Sequence, residues 1–435
     1  MAALIAGAAG TVGATELVVA TVNNGHMITL QRLAHHFERL HPDIKLRWVT
    51  LEEGQLRQQV TRDITARGGR FDVATLGLLE APIWGRRGWL KLISVDASYD
   101  INDLLPNVRQ GLSVNGRLFA APFYGESSMT MARSDLLQAK GLRLSSHPTW
   151  AQIRRLAEQL HDPAHGVYGI CLRGKAGWGE NMALVTTMVN AFGGQWFDMG
   201  WHAQLTSPPW RTAVGLYVEL LKRFGPPGAS ANGYNENLTL FRDGKCALWV
   251  DGTVAGAFLN DPKLSTVAGK VQFAQAPAAV TAKGSHWLWS WALAIPASTN
   301  QGAAAQAFVA WATSKEYVRL AAREEGWGAV PSGVRLSTYA SPAFMAANPA
   351  AQVERQAMAS ANPVDPTVPK SPYVGIQYVG IPEFQAIGTA VGQEIGRLLV
   401  EGGEVLPALE RARRAADRKI VESGYRIEMA RGTRP

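Results

Sequence analysis

Cysteine, charge and long apolar runs are all scarce in this sequence. Only two of its 435 residues are cysteine, Cys171 and Cys246, which excludes a disulfide-dense scaffold and a C-x-x-C motif. Charged residues make up 18% and hydrophobic residues 47%, ordinary values for a folded globular protein. Beyond the N-terminus no stretch reaches the roughly 18 apolar residues of a membrane-spanning helix. The length fits two lobes better than one core.

The motifs of common enzymes and nucleic-acid binders are also missing. The chain contains no G-x-S-x-G, no G-x-G-x-x-G opening a helix, no H-E-x-x-H, and no zinc-finger, RNP or Walker pattern. A net charge of +8 leaves nucleic acid open as a partner. The densest basic cluster has helical spacing and interleaved acids, which favours a solvated helix face: Glu410, Arg411, Arg413, Arg414, Asp417, Arg418, Lys419.

Tryptophan, by contrast, is abundant, with 14 residues, and it serves either as core bulk or as a flat recognition surface.

The first 14 residues form a small-residue apolar run ending in Val12-Gly13-Ala14. This is typical of a secretory signal, although the positive n-region is missing. We therefore expect an exported protein whose mature chain begins near Thr15. No cysteine follows the run, so we expect no lipid anchor.

Periodicity predicts alternating strands and helices from residue 16 to 76. Glu16–Val22 is a buried-type strand, a helix with the 3.6-residue period follows, and two more strands enclose a second helix. This order predicts a parallel sheet, in which ligands meet the carboxyl ends of strands. Asn23, Asn24 and His26 lie at such an end.

The chain then leaves this first lobe and returns to it later. Residues 115–122 have the pattern of a turn and an extended run, and the apolar strand Trp287–Pro296 is the candidate for the return. We predict an N-terminal lobe of residues 15–122 plus 282–331, and a C-terminal lobe of residues 123–281 plus 332–435. Lobes joined by several strands form a hinge that can close on a ligand.

Five segments, in this order and spacing, resemble family 1 extracellular solute-binding proteins: Gly116-Arg-Leu-Phe-Ala-Ala-Pro, Arg133-Ser-Asp-Leu-Leu, Pro148-Thr-Trp, Tyr168-Gly-Ile and Phe241-Arg-Asp-Gly-Lys-Cys-Ala-Leu-Trp. Five others are similar to the sorbitol/mannitol-binding components of polyol ABC transporters: Asn23-Asn-Gly-His-Met-Ile, Pro122-Phe-Tyr-Gly-Glu-Ser-Ser-Met, Arg173-Gly-Lys-Ala-Gly-Trp-Gly-Glu-Asn, Trp249-Val-Asp-Gly-Thr and Ser371-Pro-Tyr-Val-Gly-Ile-Gln-Tyr. One departure is His26, where an acidic residue is expected.

The resemblance implies an α/β, two-lobed periplasmic-binding-protein fold of type II-like topology, with discontinuous lobes and a multi-strand hinge. It implies a periplasmic receptor of Gram-negative type that captures a small polyol such as sorbitol or mannitol for the permease subunits of an ABC importer. We expect no catalysis, cofactor, metal or nucleic acid, and a monomer.

Burying a polyol requires partners for every hydroxyl and aromatic faces for its C–H surface. The resembling segments supply both, so the expected ligand-binding residues are Asn23, His26, Tyr124, Glu126, Arg173, Trp178, Glu180, Asp251, Trp287, Trp327, Tyr373 and Gln377. Trp287, Trp289 and Trp291 share one strand face, and the resemblance places Trp287 nearest the cleft.

Several readings stay open at this point. Glu126 and Asp251 can instead be surface caps or hinge ion pairs, and Cys171 and Cys246 either form a disulfide or stay two buried thiols. We expect Asp251→Ala to weaken binding at least tenfold, with roughly tenfold per 1.4 kcal/mol lost, and to leave the fold intact. Two rival functions are the same fold binding a mono- or disaccharide, and a glycoside-acting enzyme using Glu126 or Glu180 with Asp251 as its carboxylate pair.

Overall fold

A computed structural model describes residues 14–426. All of the expected leader except Ala14 lies outside the described residues. No helix within residues 14–426 combines the length and the apolar character needed to cross a membrane.

Within residues 14–426, eleven strands form three sheets: β1 (Thr15–Val22), β2 (Ile44–Leu51), β3 (Val73–Leu76), β4 (Ser113–Val114), β5 (Arg117–Leu118), β6 (Ala120–Glu126), β7 (Ser128–Arg133), β8 (Tyr168–Cys171), β9 (Cys246–Gly252), β10 (Val271–Gln275) and β11 (Trp289–Ala294). The larger sheets have the orders β2-β1-β3-β11-β6 and β10-β7-β9-β8, and β4 pairs with β5. The predicted parallel pairing of β1 with β2 and β3 is confirmed.

The helices that cover the sheets are α1 (Gly25–Leu40), α2 (Glu53–Ala66), α3 (Glu80–Arg86), α4 (Pro106–Gly111), α5 (Ser134–Ala139), α6 (Trp150–Leu160), α7 (Asn181–Ala191), α8 (Pro208–Phe224), α9 (Tyr234–Arg242), α10 (Ala255–Asn260), α11 (Gly302–Ala312), α12 (Lys315–Glu325), α13 (Leu336–Tyr339), α14 (Pro342–Ala347), α15 (Ala351–Ser360), α16 (Phe384–Val400) and α17 (Val405–Glu422). In α1 the apolar face buries Leu30, Leu33 and Phe37, and the Asn24 side chain accepts a hydrogen bond from the Met27 amide at 3.2 Å. The helix therefore begins directly after the end of β1.

The chain passes between the two large sheets at Ser127, which joins β6 to β7, and again between β10 and β11. Ser127 is fixed to the end of β9, because its amide donates to the Thr253 hydroxyl at 3.1 Å and its carbonyl accepts from the Thr253 amide at 2.7 Å. Each sheet thus belongs to its own α/β unit, with extended crossings between them. The lobe limits at residues 122, 281 and 331 stay a prediction.

The two cysteines lie in the second large sheet. Cys171 of β8 and Cys246 of β9 form a disulfide, with Cα atoms 5.9 Å apart and both side chains fully buried. The sequence leaves open a disulfide or two buried thiols, and the structure contains the disulfide.

Candidate binding cleft

A cleft of about 770 Å³, part of it open to solvent, lies between the two units. Its wall begins at Val22, the last residue of β1, and continues across to residues that follow β8 and precede α7. Eight of the twelve expected binding residues line it: Asn23, Tyr124, Glu126, Arg173, Trp178, Glu180, Trp287 and Gln377.

Arg173 is the central cation of the wall. Its Nε donates to both carboxylate oxygens of Asp251 at 3.0 and 3.1 Å, its Nη2 donates to Asp251 Oδ1 at 2.6 Å, and its Nη1 donates to the Gly179 carbonyl at 3.0 Å. Asp251 also accepts from the Trp249 indole and from the Gly252 amide. Such a charge-assisted network fixes the guanidinium in one orientation.

Asp251 is not among the described residues that line the cleft, and the direct ligand contact expected for it stays a prediction. Its side chain is fully buried, and Arg173, Trp249 and Gly252 take up its oxygens. Of the alternatives weighed from the sequence, the ion-pair role describes it best. The residue lies behind Arg173 and holds that cation in place.

Two wall carboxyls, Glu126 and Glu180, are nearly buried. Burial raises the pKa of each to about 8; for Glu180 the negative charge of Glu53 adds to this effect, and for both the positive charge of Arg173 opposes it. A carboxyl that can carry or lose its proton near neutral pH can donate a hydrogen bond or accept several.

Four buried polar atoms of the wall have no hydrogen-bond partner among the described residues. They are Glu180 Oε2, the Tyr234 hydroxyl, and the indole nitrogens of Trp287 and Trp289. Leaving a buried donor or acceptor unpaired costs roughly 1–3 kcal/mol. One carboxylate, one hydroxyl and two N–H donors thus form a set suited to a ligand rich in hydroxyl groups.

Aromatic faces and a second guanidinium close another side of the cleft. The Arg57 guanidinium of α2 lies 4.0 Å from the ring centroid of Trp178, 4.9 Å from that of Trp289 and 4.7 Å from that of Trp291. It donates to Glu53 at 2.8 Å and 3.0 Å and to Glu80 at 3.0 Å. We call this arrangement, Arg57 with Trp178, Trp289 and Trp291, the Arg57 cage.

Three further expected residues lie away from the cleft wall. His26 packs against Tyr124, with ring centroids 5.0 Å apart, and burial lowers its pKa to about 4. The Tyr373 hydroxyl accepts from the Trp196 amide inside the second unit. Trp327 begins a short 3-10 helix and packs on the core. None of the three is among the described residues that line the cleft, and the direct ligand contact expected for each stays a prediction.

Gln377 lines the cleft, but both ends of its amide pair with the backbone of Leu288, at 3.3 and 2.8 Å. It thereby fixes the segment that carries Trp287 and Trp289. We assign it a positioning role in addition to the expected contact.

Sequence reasoning missed several wall residues: Glu52, Glu53, Arg57, Lys175, Tyr234, Asn235, Glu236, Trp289 and Trp291. Asn24, placed beside Asn23 at the strand end, was left out of the expected set although its amide donates to the Tyr124 hydroxyl at 2.7 Å. The alternation that puts Trp287, Trp289 and Trp291 on one face was a usable signal for all three. Arg57 has one local partner, Glu53 four residues earlier on α2, but the spacing alone does not place it at the cleft, because Glu80 and Trp178 are distant in sequence.

The two units touch across the mouth of the cleft. Lys175 Nζ lies 2.6 Å from Glu52 Oε1, and the Asn235 amide donates to the Asn23 carbonyl at 2.8 Å. Gly179 allows the closest approach, because a Cβ there would lie 2.2 Å from a Glu53 carboxylate oxygen. Within residues 14–426 no group of three or more His, Cys, Asp or Glu side chains is placed to hold a metal ion.

Comparison with known proteins agrees with this geometry. A family model described as "Bacterial extracellular solute-binding protein" matches residues 23–319. A "Mannitol-binding protein" of Pseudomonas aeruginosa is 52% identical over 414 residues, which cover 95% of each chain.

Solved structures show the same likeness. An ABC transporter solute-binding protein from Agrobacterium vitis S4 with bound D-mannitol has a TM-score of 0.93 and 50% identity, covering 94% of this chain and 99% of its own. A second, from Agrobacterium radiobacter K84 in complex with ribitol, has a TM-score of 0.81 and 25% identity, covering 93% and 99%. The two-lobed architecture of these proteins is that of the present chain.

Proposed function

Because the chain belongs to the family of bacterial extracellular solute-binding proteins, a family of transport proteins rather than enzymes, we propose that it captures a small polyol in the cleft and delivers it to the permease of an ABC importer. The ligand we favour is D-mannitol or a related alditol. The relatives support this choice, since mannitol and ribitol are bound in the two similar structures.

The observation that carries the proposal is the set of unpartnered buried atoms in the wall. An alditol offers a hydroxyl on every carbon, each a donor and an acceptor, and so can pair with Glu180 Oε2, the Tyr234 hydroxyl and the indole nitrogens of Trp287 and Trp289. The tryptophan faces cover the C–H surface between the hydroxyls. The Arg57 cage and the contacts across the mouth favour a short ligand over a disaccharide.

This role also implies where the protein acts, in which oligomeric state, and without catalysis. The chain acts in the periplasm, as a monomer that meets the permease subunits, and turns over no substrate. Glu126 and Glu180 bind hydroxyls and do not serve as a carboxylate pair for hydrolysis, a role that turnover assays on aryl glycosides would reveal.

Ligand titration tests the proposal directly. We expect D-mannitol, sorbitol or ribitol to bind with micromolar affinity and, at about 100 times Kd, to add about 2.7 kcal/mol to the free energy of unfolding. Thermal-shift and calorimetric titrations with these alditols and with maltose measure this. A stabilisation by maltose larger than that by every alditol would contradict a polyol ligand.

One variant separates binding from folding. Tyr234→Phe removes a hydroxyl that has no described partner, so we expect the stability of the unliganded protein to be unchanged. Alditol affinity should fall about 2- to 12-fold, which corresponds to the roughly 0.5–1.5 kcal/mol of one net hydrogen bond. Tyr168→Phe in β8 is the matched control, because Tyr168 does not line the cleft. Equal affinities for the two variants would remove Tyr234 from the site.

A further inference from the structure

The wall of the cleft, with the side chains directly behind it, holds more carboxyl groups than cations. Among the described residues, Glu53, Glu80, Glu126, Glu180 and Asp251 are grouped around two guanidinium groups, those of Arg57 and Arg173. These five carboxyls therefore share two guanidinium groups. Lys175 does not change this balance, because it pairs with Glu52 at the rim.

Each guanidinium is already committed to a carboxylate. Arg173 makes its hydrogen bonds with Asp251 and the Gly179 carbonyl, and Arg57 bridges Glu53 and Glu80. Glu180 Oε2 lies 3.6 Å from Arg173 Nη1, beyond hydrogen-bond distance, and has no described partner. A buried, unpaired carboxyl gains most from a ligand that brings a positive charge.

The same wall presents the aromatic faces that favour cations. Trp178, Trp287 and Trp289 all line the cleft, and each already lies beside a cation: the Arg57 guanidinium is 4.0 Å from the ring centroid of Trp178 and 4.9 Å from that of Trp289, and the Arg173 guanidinium is 5.6 Å from that of Trp287. The carboxyls and indoles of this wall are thus surroundings that stabilise positive charge. A phosphate or carboxylate would instead find both guanidinium groups already paired with carboxylates.

We propose that the cleft also binds amino-alditols, in which a protonated amine replaces one hydroxyl of the chain, and that it rejects anionic alditol derivatives. This inference rests on the proposed function, since it assumes that an alditol chain fills the cleft. The ammonium group pairs with Glu180 or Glu126, while the remaining hydroxyls use the same partners as those of the neutral ligand.

Proton release accompanies the binding of the cation. Burial raises the pKa of Glu126 and Glu180 to about 8, so both are largely protonated at neutral pH in the unliganded protein. An ammonium ion beside either group favours its carboxylate form, and the proton is released to solvent. The charged and titratable groups that face these two are Glu53, Tyr124, Arg173, Lys175, Tyr234, Asp251 and Glu354.

A charge series on one carbon skeleton tests the inference. The probes are D-mannitol, 1-amino-1-deoxy-D-mannitol, D-mannonate and D-mannitol 1-phosphate, titrated by calorimetry at pH 7 in two buffers of different ionisation enthalpy. D-Mannitol has two equivalent ends, so its amino derivative can place the ammonium at either end of the site. We expect the amine to bind at least as tightly as D-mannitol with release of a proton, and both anions to bind at least 100-fold more weakly.

Substitutions of the two wall carboxyls test whether they cause the preference for the amine over D-mannitol. In Glu126→Gln or Glu180→Gln the preference for the amine over D-mannitol should fall at least tenfold. Glu410→Gln on α17, a half-exposed carboxylate far from the wall, should leave it unchanged. An amine that binds more weakly than D-mannitol to the unmodified protein overturns the inference without any variant, and so does a preference that survives both wall substitutions. Failure of D-mannitol, sorbitol and ribitol alike to bind overturns the proposed function instead.

Discussion

At the scale of single residues, the Arg173–Asp251 ion pair holds a buried cation in the cleft wall. Every oxygen of Asp251 and every nitrogen of the Arg173 side chain has a described partner within hydrogen-bond distance. Removing one member of such a pair leaves the other charged, buried and unpaired. The pair therefore serves both stability and ligand binding, which separates it from the rim pair Lys175–Glu52.

Asp251→Asn should accordingly lower both the stability of the protein and its affinity for the alditol. We expect a loss of about 3–5 kcal/mol in the free energy of unfolding, because the Arg173 charge loses its counter-ion, and at least a tenfold loss of alditol affinity. This revises the intact fold expected from the sequence for Asp251→Ala. Urea unfolding and calorimetry measure the two effects. The control is Asp243→Asn, whose carboxylate is half-exposed and should cost less than about 1 kcal/mol. Equal stability of the two variants would contradict the ion-pair role.

The raised carboxyl pKa values make the stability of the unliganded protein depend on pH. Glu126 and Glu180 keep their protons up to about pH 8 when folded and lose them near pH 4.5 when unfolded. The folded state thus binds more protons over this interval, and its stability falls as pH rises. His26 and His286, with pKa values lowered to about 4 by burial, act in the opposite sense, but only up to pH 6.5.

Between pH 6.5 and 8 the carboxyls therefore dominate. We expect the free energy of unfolding of the unliganded protein to fall by about 1–3 kcal/mol per pH unit over this interval, and its melting temperature to fall with it. The Glu126→Gln/Glu180→Gln double variant should show a smaller fall, because amides do not titrate. Melting curves recorded between pH 6.5 and 8 measure this difference. If the melting temperature falls equally with pH in the unmodified protein and in the double variant, Glu126 and Glu180 do not titrate as described.

At the scale of elements, α2 is the helix that joins the first unit to the second across the cleft. Arg57 extends from it to Trp178, which precedes α7, while Glu53 and Glu80 hold the guanidinium from its own side. Only the planar guanidinium can stack on indole rings and bridge two carboxylates at once. The Arg57 cage therefore forms when the two units are in contact and stabilises that arrangement.

Arg57→Lys tests this role while keeping the charge. We expect alditol affinity to fall about tenfold, because a desolvated cation–π contact contributes up to about 2 kcal/mol and lysine cannot reproduce the bridge. Small-angle scattering should also show a larger open fraction at equal ligand occupancy. Arg62→Lys, exposed on the same helix, is the matched control. An affinity unchanged in both variants would exclude the cage from closure.

Elements were predictable from the sequence where local pattern decides them. The period of α1, the Thr149 cap of α6 and the parallel order of β1 to β3 follow from neighbours in the chain. The Arg57 cage does not, because 121 residues separate Arg57 from Trp178 and only the tertiary fold brings them together. For the same reason the sequence located Asp251 correctly at the end of β9 and missed that it is buried behind Arg173.

On the scale of the whole molecule, the two units are joined where β6 meets the segment that follows the short 3-10 helix Trp327–Ala329. The Gly125 amide donates to the Ser332 carbonyl at 2.8 Å, and Gly333 has φ of +75°. A Cβ on Gly333 would lie 2.0 Å from the Gly125 carbonyl oxygen, and one on Gly125 would lie 2.3 Å from the Gly333 oxygen. Two backbones thus touch beside the crossing at Ser127, which only glycine permits at either position.

Gly333→Ala should therefore separate the two backbones at the crossing. The left-handed φ alone costs about 1–2 kcal/mol, and relieving the backbone clash adds about 1–3 kcal/mol. Gly228→Ala isolates the first effect, because Gly228 has a left-handed φ of +72° but no described atom within 4 Å of an added Cβ. We expect Gly333→Ala to be the less stable variant in urea unfolding. It should also be the only one with weakened alditol binding, since a displaced crossing changes how the units meet across the cleft. If both variants lose the same stability and keep the same affinity, the glycine contact is not part of the hinge.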